Sequence, residues 1–315
     1  MSLVLEPRAD AVPRNTVEET YAQINKDLDD AISLFGSASA RRDKSHLSIE
    51  VAKGMKARVA LTQQNYAVAA QFAKEARGSI KPMTQAQVMG GFSDYSNPEW
   101  IWGVFHRDDQ PTYFYSFFAY VGNFSSTNTR GNPKAINSRL YAKISSTDIR
   151  KQLWDSTGKD ATFPLAASGV RMPYMTRKLL LANPGNSNGD LPLMRAAEMY
   201  LIEAEALARD GKEADAANVL FELASARDTQ YTKSTKTGAA LIDEILTQRR
   251  IELWAEGFRF YDLKRLNLPL DRDGANHPTT LAQKLTEPAG TINWEFLIPQ
   301  GEIDRTQGVV VQNPM

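Results

Sequence analysis

The chain of 315 residues contains no cysteine. Disulfide frameworks, thiol nucleophiles and zinc–thiolate sites are therefore excluded. Histidine is scarce: His46, His106 and His277 stand far apart, and none belongs to a His-Glu-x-x-His arrangement. That leaves few of the commonest nitrogen ligands, so neither a metal site nor a cofactor is expected. Charge of one sign is not in excess either, with 37 Lys plus Arg against 37 Asp plus Glu. The basic surplus by which nucleic-acid binders neutralise phosphate is missing. No apolar run approaches the roughly 18 to 20 residues that span a bilayer. Met1 to Arg14 lacks the apolar centre of a signal peptide. Asp271-Arg272-Asp273-Gly274-Ala275-Asn276 has the composition of a calcium loop, but its glycine is misplaced and Ala282 stands where the closing glutamate would be. It is expected to be a surface turn.

What is present divides into three zones. The first, 16–80, has the spacing of three helices. Thr16-Val17-Glu18-Glu19 is a capping box, followed by Tyr21, Ile24, Leu28, Ile32 and Phe35 at helical intervals with Gly36 as the stop. Ser48 to Gln63 and Tyr66 to Ile80 then form a helical hairpin whose second helix carries Ala69, Ala73 and Ala76. The third zone, 191–315, repeats the design: Leu193 to Arg209 is helical, Asp210-Gly211 breaks it, and Glu213 to Arg227 follows with Ala217, Phe221 and Ala224. This small–large–small spacing is that of tetratricopeptide hairpins. The expected fold is mainly α, with tetratricopeptide-like hairpins as a scaffold brought together in space across an insert.

The insert, 81–190, is loop-rich. It contains Gly90-Gly91, Asn97-Pro98, Gly131-Asn132-Pro133 and the run Asn183 to Gly189, all turn-forming. Glu99-Trp100-Ile101-Trp102-Gly103-Val104-Phe105 has strand propensity, placing Trp100 and Trp102 on one face, where they are expected to be core. Tyr113 to Tyr120 is a dense aromatic run leading into the polar loop Asn123 to Asn137. Loops on a rigid scaffold commonly carry recognition residues.

The densest concentration of charge, aromatic rings and glycine is Gln248 to Arg265. As one helix, it puts Arg249, Glu252, Glu256 and Arg259 on a single stripe where opposite charges pair. Leu246, Ile251, Leu253, Trp254 and Phe258 form the apolar stripe. Gly257 permits a change of backbone direction. The expected role is structural, with Arg249, Arg250, Glu252, Glu256 and Arg259 forming an ion-pair network that ties this helix to its neighbours.

Several stretches together resemble one family. Leu191 to Ala206 is similar to a motif in which an arginine begins a helix ending in Ala-Glu-Ala. Arg249 to Arg265 resembles ERR-x-EL-x-x-EG-x-R-x-x-DLKR, and Phe296-Leu297-Ile298-Pro299 with Glu302 and Gln312-Asn313-Pro314 resembles a closing IP…E…QNP. Tyr21, Ile24, Asp27, Leu28 and Ala31, then Asn97 to Trp102, then Asp148-Ile149-Arg150 match its earlier elements more loosely. The chain is identified as a member of the SusD/RagB group of outer-membrane glycan-binding lipoproteins of Bacteroidetes, as one SusD-like domain over 1–315. Gln248 departs from the usual glutamate. The lipoprotein signal, the lipid-bearing cysteine and the first helices have no counterpart, so the chain is expected to begin part-way into a family member.

The resemblance implies a cell-surface, lipid-anchored protein that captures glycan for nutrient uptake and passes it to a SusC-like TonB-dependent transporter, without catalysis. Glycan-contacting residues are not part of the shared motifs. Ring faces cover the C–H faces of pyranoses, so Tyr113, Tyr115, Tyr120 and Phe124, with Asn123, Asn128 and Arg130, are the expected glycan contacts. Two alternatives stay open. One is a tetratricopeptide-like scaffold that binds only protein. The other is a glycoside hydrolase, which needs two carboxyl groups about 5 to 9.5 Å apart across a cleft; Glu198, Glu203 and Glu205 are its nearest candidates.

Overall fold

The computed structural model describes residues 2–7, 10–107, 109, 115–123, 129, 131–165, 169–181 and 187–313. The chain enters through α1 (Val17–Gly36). Its capping box forms as the sequence requires: Glu19 N donates to Thr16 Oγ1 at 3.1 Å and Thr16 N to Glu19 Oε2 at 2.9 Å. Two helical hairpins follow the expected pattern. α2 (Ile49–Thr62) and α3 (Tyr66–Arg77) make the first. The second, made by α7 (Ala196–Arg209) and α8 (Glu213–Arg227), lies beyond the insert.

The hairpins stack because α3 packs directly on α7, so α2, α3, α7 and α8 run as one helical layer, continued by α9 (Gly238–Glu252). Alanine explains the closeness. Ala69, Ala73 and Ala76 of α3 and Ala196, Ala197, Ala204 and Ala206 of α7 are all fully buried, and small side chains let the helix axes approach. α7 is buried nearly all round, because it is covered on both sides, and its three glutamates are each paired with an arginine. In α8 the expected spacing fails at one position. Ala217 and Ala224 are buried, but Phe221 is 37 % exposed and lies against Tyr231 outside the layer, ring centroids 6.3 Å apart. The face that packs is Ala216, Val219, Leu220 and Leu223.

The insert attaches through its strand. β1 (Trp100–Val104) pairs antiparallel with β4 (Leu191–Arg195), with bulges on either side of Trp102. Trp100 is buried, whereas Trp102 is half-buried and donates its indole N–H to Ser45 O at 3.3 Å. The start of the third zone is thus a strand rather than helix: Leu193 and Met194 lie in β4, and Arg195 occupies the cap position before α7. Short elements complete the insert: α4 (Gln85–Met89), α5 (Phe117–Val121), α6 (Ser138–Tyr141), a 3-10 turn at Ile149–Leu153, and β2 (Trp154–Asp155) paired with β3 (Met175–Thr176). They enclose a second apolar cluster that includes Phe92, Phe118, Ile136, Leu140 and Trp154.

The Gln248 to Arg265 stretch is two helices. α9 stops at Glu252, and α10 (Phe258–Arg265) starts after a turn in which Ala255 and Gly257 both have left-handed backbone, φ 64° and 90°. Glycine adopts that conformation at no steric cost, so the change of direction falls where Gly257 stands. A short β5–β6 pair (Leu270–Asp271 with Thr286–Glu287) and α11 (Gln300–Arg305) close the chain. Among the described residues no helix is long and apolar enough to cross a membrane.

Candidate functional site

An unpaired buried charge is costly, and this chain buries a great deal of charge. Glu252, the last residue of α9, accepts from three guanidinium groups. Arg227 Nη2 and Nε lie at 3.0 and 3.1 Å, Arg195 Nη1 at 3.2 Å and Arg150 Nη1 at 3.1 Å. Arg195 also makes a two-pronged contact with Glu256 (2.9 and 2.7 Å) and bonds Glu99, which Arg227 reaches at 2.9 Å. Lys178 Nζ donates to Glu256 Oε1 and to the Glu252 and Trp254 carbonyls, all within 2.8 Å. Asp148 holds Arg150 at 2.6 Å. Four carboxylates thus face four cations, at 10 % side-chain exposure or less.

The cluster ties together the insert, the start of the second hairpin, the end of α8 and the end of α9. Burial alone would push the Glu252 carboxyl up, but Arg227, Arg195 and Arg150 together hold it well below the usual carboxylate range. The same contest leaves Glu256 low, held by Arg195 and Lys178. Burial lowers Lys178, against the pull of Glu256.

The partners differ from the expected stripe. Glu252 and Glu256 pair outward to other segments, and neither meets Arg249 or Arg259. Arg249 instead donates to Asp262 at 2.9 Å, in a separate chain of contacts that continues through Arg265 to Glu205 (2.7 Å) and Arg209. Arg250 and Arg259, expected within the network, have no ion pair among the described residues. The break between α9 and α10 is the cause, because it turns Arg259 away from Glu256 by ending the helical register.

Both of these arginines line a cavity of about 550 Å³ formed at that break. Its walls come from α6, the end of α9, α10 and the segment from Leu270 to His277, with Lys134 and Val121 on the insert side. Trp254, Phe258 and Phe260 supply aromatic surface. Trp254, expected in the core, is half-buried here and packs edge-on against Trp154 at 5.9 Å. Phe258 lies beneath Arg249, 5.1 Å from the guanidinium. Among the described residues no cluster of three or more His, Asp or Glu side chains is placed to hold a metal ion.

The expected glycan contacts separate. Tyr115 and Tyr120 are 88 % and 55 % exposed, on or beside α5. Phe118 and Ala119 of the same run are buried, and Ser116 fixes α5 by capping Ala119 N at 3.0 Å and donating to Ser187 O at 2.7 Å. Asn123, by contrast, is 1 % exposed, and its amide is hydrogen-bonded to backbone. Its Nδ2 donates to Lys134 O and Thr176 O, both at 2.9 Å, and its Oδ1 accepts from Lys134 N at 2.6 Å. Its work is to position Lys134 at the cavity wall. Tyr113, Phe124, Asn128 and Arg130 lie outside the described residues.

Sequence reasoning missed Glu99, Lys178 and Arg227 as network members and Lys134 and Arg272 as cavity residues. Each looks like an ordinary solvated charge in its own segment, and only the fold assembles them.

A stacked-hairpin helical scaffold of this kind is the fold of SusD-superfamily structures. Residues 93–315 match the model of the SusD family. The chain belongs to the SusD family. A SusD-like protein, P38, from Formosa agariphila is 33% identical over 93 residues, 27% of this chain and 18% of that protein. The structure is also similar to a SusD superfamily protein from Bacteroides thetaiotaomicron (TM-score 0.81, 22% identity, covering 100% of this chain and 70% of that one). A third likeness is to surface glycan-binding protein A of the same organism (TM-score 0.68, 16% identity, 96% and 72% covered). The chain therefore spans about seven-tenths of the length of these structures and less than a fifth of the curated relative.

Proposed function

We propose that this chain is a glycan-binding protein of the cell surface, lipid-anchored in its full form. It captures oligosaccharide and passes it to a SusC-like TonB-dependent transporter without chemical change. The observation that carries the proposal is membership of the SusD family over residues 93–315. Two structural relatives add support: one is a laminarin-binding SusD-like protein and the other was solved with laminarihexaose. In this chain the exposed rings of Tyr115 and Tyr120 offer the stacking surface that a pyranose needs.

The state of the carboxylates favours binding over hydrolysis. Glu198, Glu203 and Glu205 are each 3 % exposed or less, and are paired with Arg58, Arg77 and Arg265 respectively. A buried carboxylate fixed by a guanidinium is poorly suited to move protons in a sugar cleft. A surface that binds only protein is the remaining reading, resting on the stacked hairpins.

Affinity electrophoresis and calorimetry against a polysaccharide panel test the proposal. Retention by at least one glycan is expected, weakened severalfold by Tyr115→Ala or Tyr120→Ala with no loss of thermal stability. Indifference to the whole panel, together with co-purification of a transporter, would favour the protein-only scaffold. Release of reducing ends would establish hydrolysis instead.

A further inference from the structure

The cavity between α9 and α10 carries a charge that the fold does not balance. Its lining includes five cations, Lys134, Arg249, Arg250, Arg259 and Arg272, against two carboxylates, Asp262 and Asp271. Both carboxylates are already committed. Asp262 is shared by Arg249 and Arg265, and Asp271 pairs with Arg139 at 2.9 Å. Lys134, Arg250, Arg259 and Arg272 are left with no ion pair among the described residues. Two buried polar atoms at the same cavity also lack partners: Arg249 Nη1, on a side chain 5 % exposed, and His277 Nδ1.

Solvated surface arginines need no counter-ion, so number alone decides nothing. The informative point is that these cations converge on a concave, partly apolar wall, where each makes the next less favourable. Burial and then the nearby Arg139 charge lower Arg250; burial and then Arg250 lower Arg259; burial, Arg272 and Arg139 lower His277. A fold that neutralises its buried core, four charges against four, yet leaves this wall uncompensated, keeps a local cost of the kind found at ligand sites. The cavity is in the size range of small-molecule sites. Trp254 and Phe260 line the same cavity, and Phe260 continues outward into rings at Trp294 and Phe296, 5.9 and 5.8 Å away.

We propose that this cavity is an anion-recognition subsite that receives the carboxylate or sulfate group of an acidic sugar residue, so that the captured glycan is acidic rather than neutral. The planar forks of Arg250 and Arg259 suit two-oxygen contacts with either group. The aromatic wall suits the C–H face of the ring that bears it. The proposal rests on the glycan-binding function above, and adds the chemical class of the glycan.

Calorimetry with matched probes tests it: trigalacturonate against its fully methyl-esterified form, and a sulfated galactan oligosaccharide against its desulfated form. At least one acidic probe is expected to bind tenfold or more tighter than its neutral partner, with affinity falling as salt rises. Which pair discriminates identifies carboxylate or sulfate. Arg250→Gln with Arg259→Gln is expected to cost that probe at least tenfold while leaving the melting temperature unchanged or higher, because a like-charge pair is removed. A purely structural role would lower the melting temperature instead. Arg259→Gln alone, at the more exposed of the two positions, carries the test should the double variant fold poorly. Neutral glycans bound as tightly as acidic ones, or acidic binding indifferent to both substitutions, would overturn the inference and leave glycan binding standing. Arginine-dependent binding of inorganic sulfate with no saccharide bound at all would overturn the glycan-binding function and this inference with it.

Discussion

Glu252→Gln separates a structural core from a binding site, because glutamine preserves shape and removes only charge. In the native protein the two carboxylate oxygens take four charge-assisted hydrogen bonds, from Arg227, Arg195 and Arg150, at 3.0 to 3.2 Å. Glutamine offers one acceptor oxygen and turns an N–H₂ donor towards guanidinium N–H groups. Three buried cations then share one carboxylate fewer. Removing one partner of a buried ion pair costs about 3 to 5 kcal/mol. An unfolding entropy of about 2.1 cal/mol/K per residue over this length gives roughly 0.66 kcal/mol/K, so the melting temperature should fall by about 5 to 8 °C if the chain unfolds cooperatively. Differential scanning calorimetry measures the shift, and calorimetric titration with the best-bound glycan measures affinity below the transition. Affinity should change less than twofold, since Glu252 does not line the cavity. A melting shift below about 1 °C combined with a tenfold loss of binding would refute the structural assignment and return this cluster to the ligand.

Acid should act through the same groups. Glu252 and Glu256 are held below their ordinary value of 4.5, so the stability they contribute is present above that value and disappears as pH falls through their folded values. Urea midpoints should therefore be flat from pH 7 to about 5 and fall below 4.5, and the gap between wild type and Glu252→Gln should narrow as Glu252 protonates. Asn123→Ala should remove three hydrogen bonds to backbone and leave buried groups unsatisfied, destabilising by about 2 to 4 kcal/mol, with faster amide exchange at Lys134 by mass spectrometry. Gly158→Ala should cost at least about 1 to 3 kcal/mol, read from urea unfolding. Its φ is 69°, and an added Cβ would lie 2.6 and 2.8 Å from the backbone C of Met172 and N of Pro173.

How far the sequence discloses this protein depends on whether a feature is local. Helical periodicity and caps are local, so the Thr16 capping box, both hairpins and the alanine face of α3 were legible residue by residue. Phe221 was not: its spacing fits a packed hairpin, but the layer turns the adjacent Leu220 and Leu223 inward instead. Arg195 sits at the junction of strand and helix, and a Leu-Pro-Leu-Met lead-in has no helical or extended preference strong enough to place the boundary. Partners were hardest to read. Glu99, Arg150, Arg195, Arg227 and Glu252 come from segments far apart in the chain, and nothing in a segment's own composition says which distant charge will neutralise it. Asn123 was hard to read for a related reason. Asn123 has the composition of a recognition residue, yet the same amide that can bind a sugar hydroxyl can satisfy two strands of backbone, and burial decided for the second.

The break between α9 and α10 gives the Gln248 to Arg265 segment two faces with opposite roles. On a continuous helix Arg259 would sit one turn beyond Glu256 and be neutralised by it. With the turn at 253–257, Glu256 swings to Arg195 and Lys178 in the neutral core, and Arg259 is released to the cavity beside Arg250. The turn thus produces the uncompensated wall, and Gly257 is where it can be probed. Its φ of 90° is costly for any residue with a Cβ, but an added methyl would meet nothing within 4 Å. Gly257→Ala should therefore destabilise only through its backbone, by about 1 to 2 kcal/mol, lowering the melting temperature by roughly 2 to 3 °C. Because relief of that strain requires the turn to open, affinity for the acidic probe should fall with it, while amide exchange in α1, which packs on α2 rather than on the turn, stays unchanged. A stable Gly257→Ala protein with undiminished acidic binding would mean that the turn is not what sets the arginines in place.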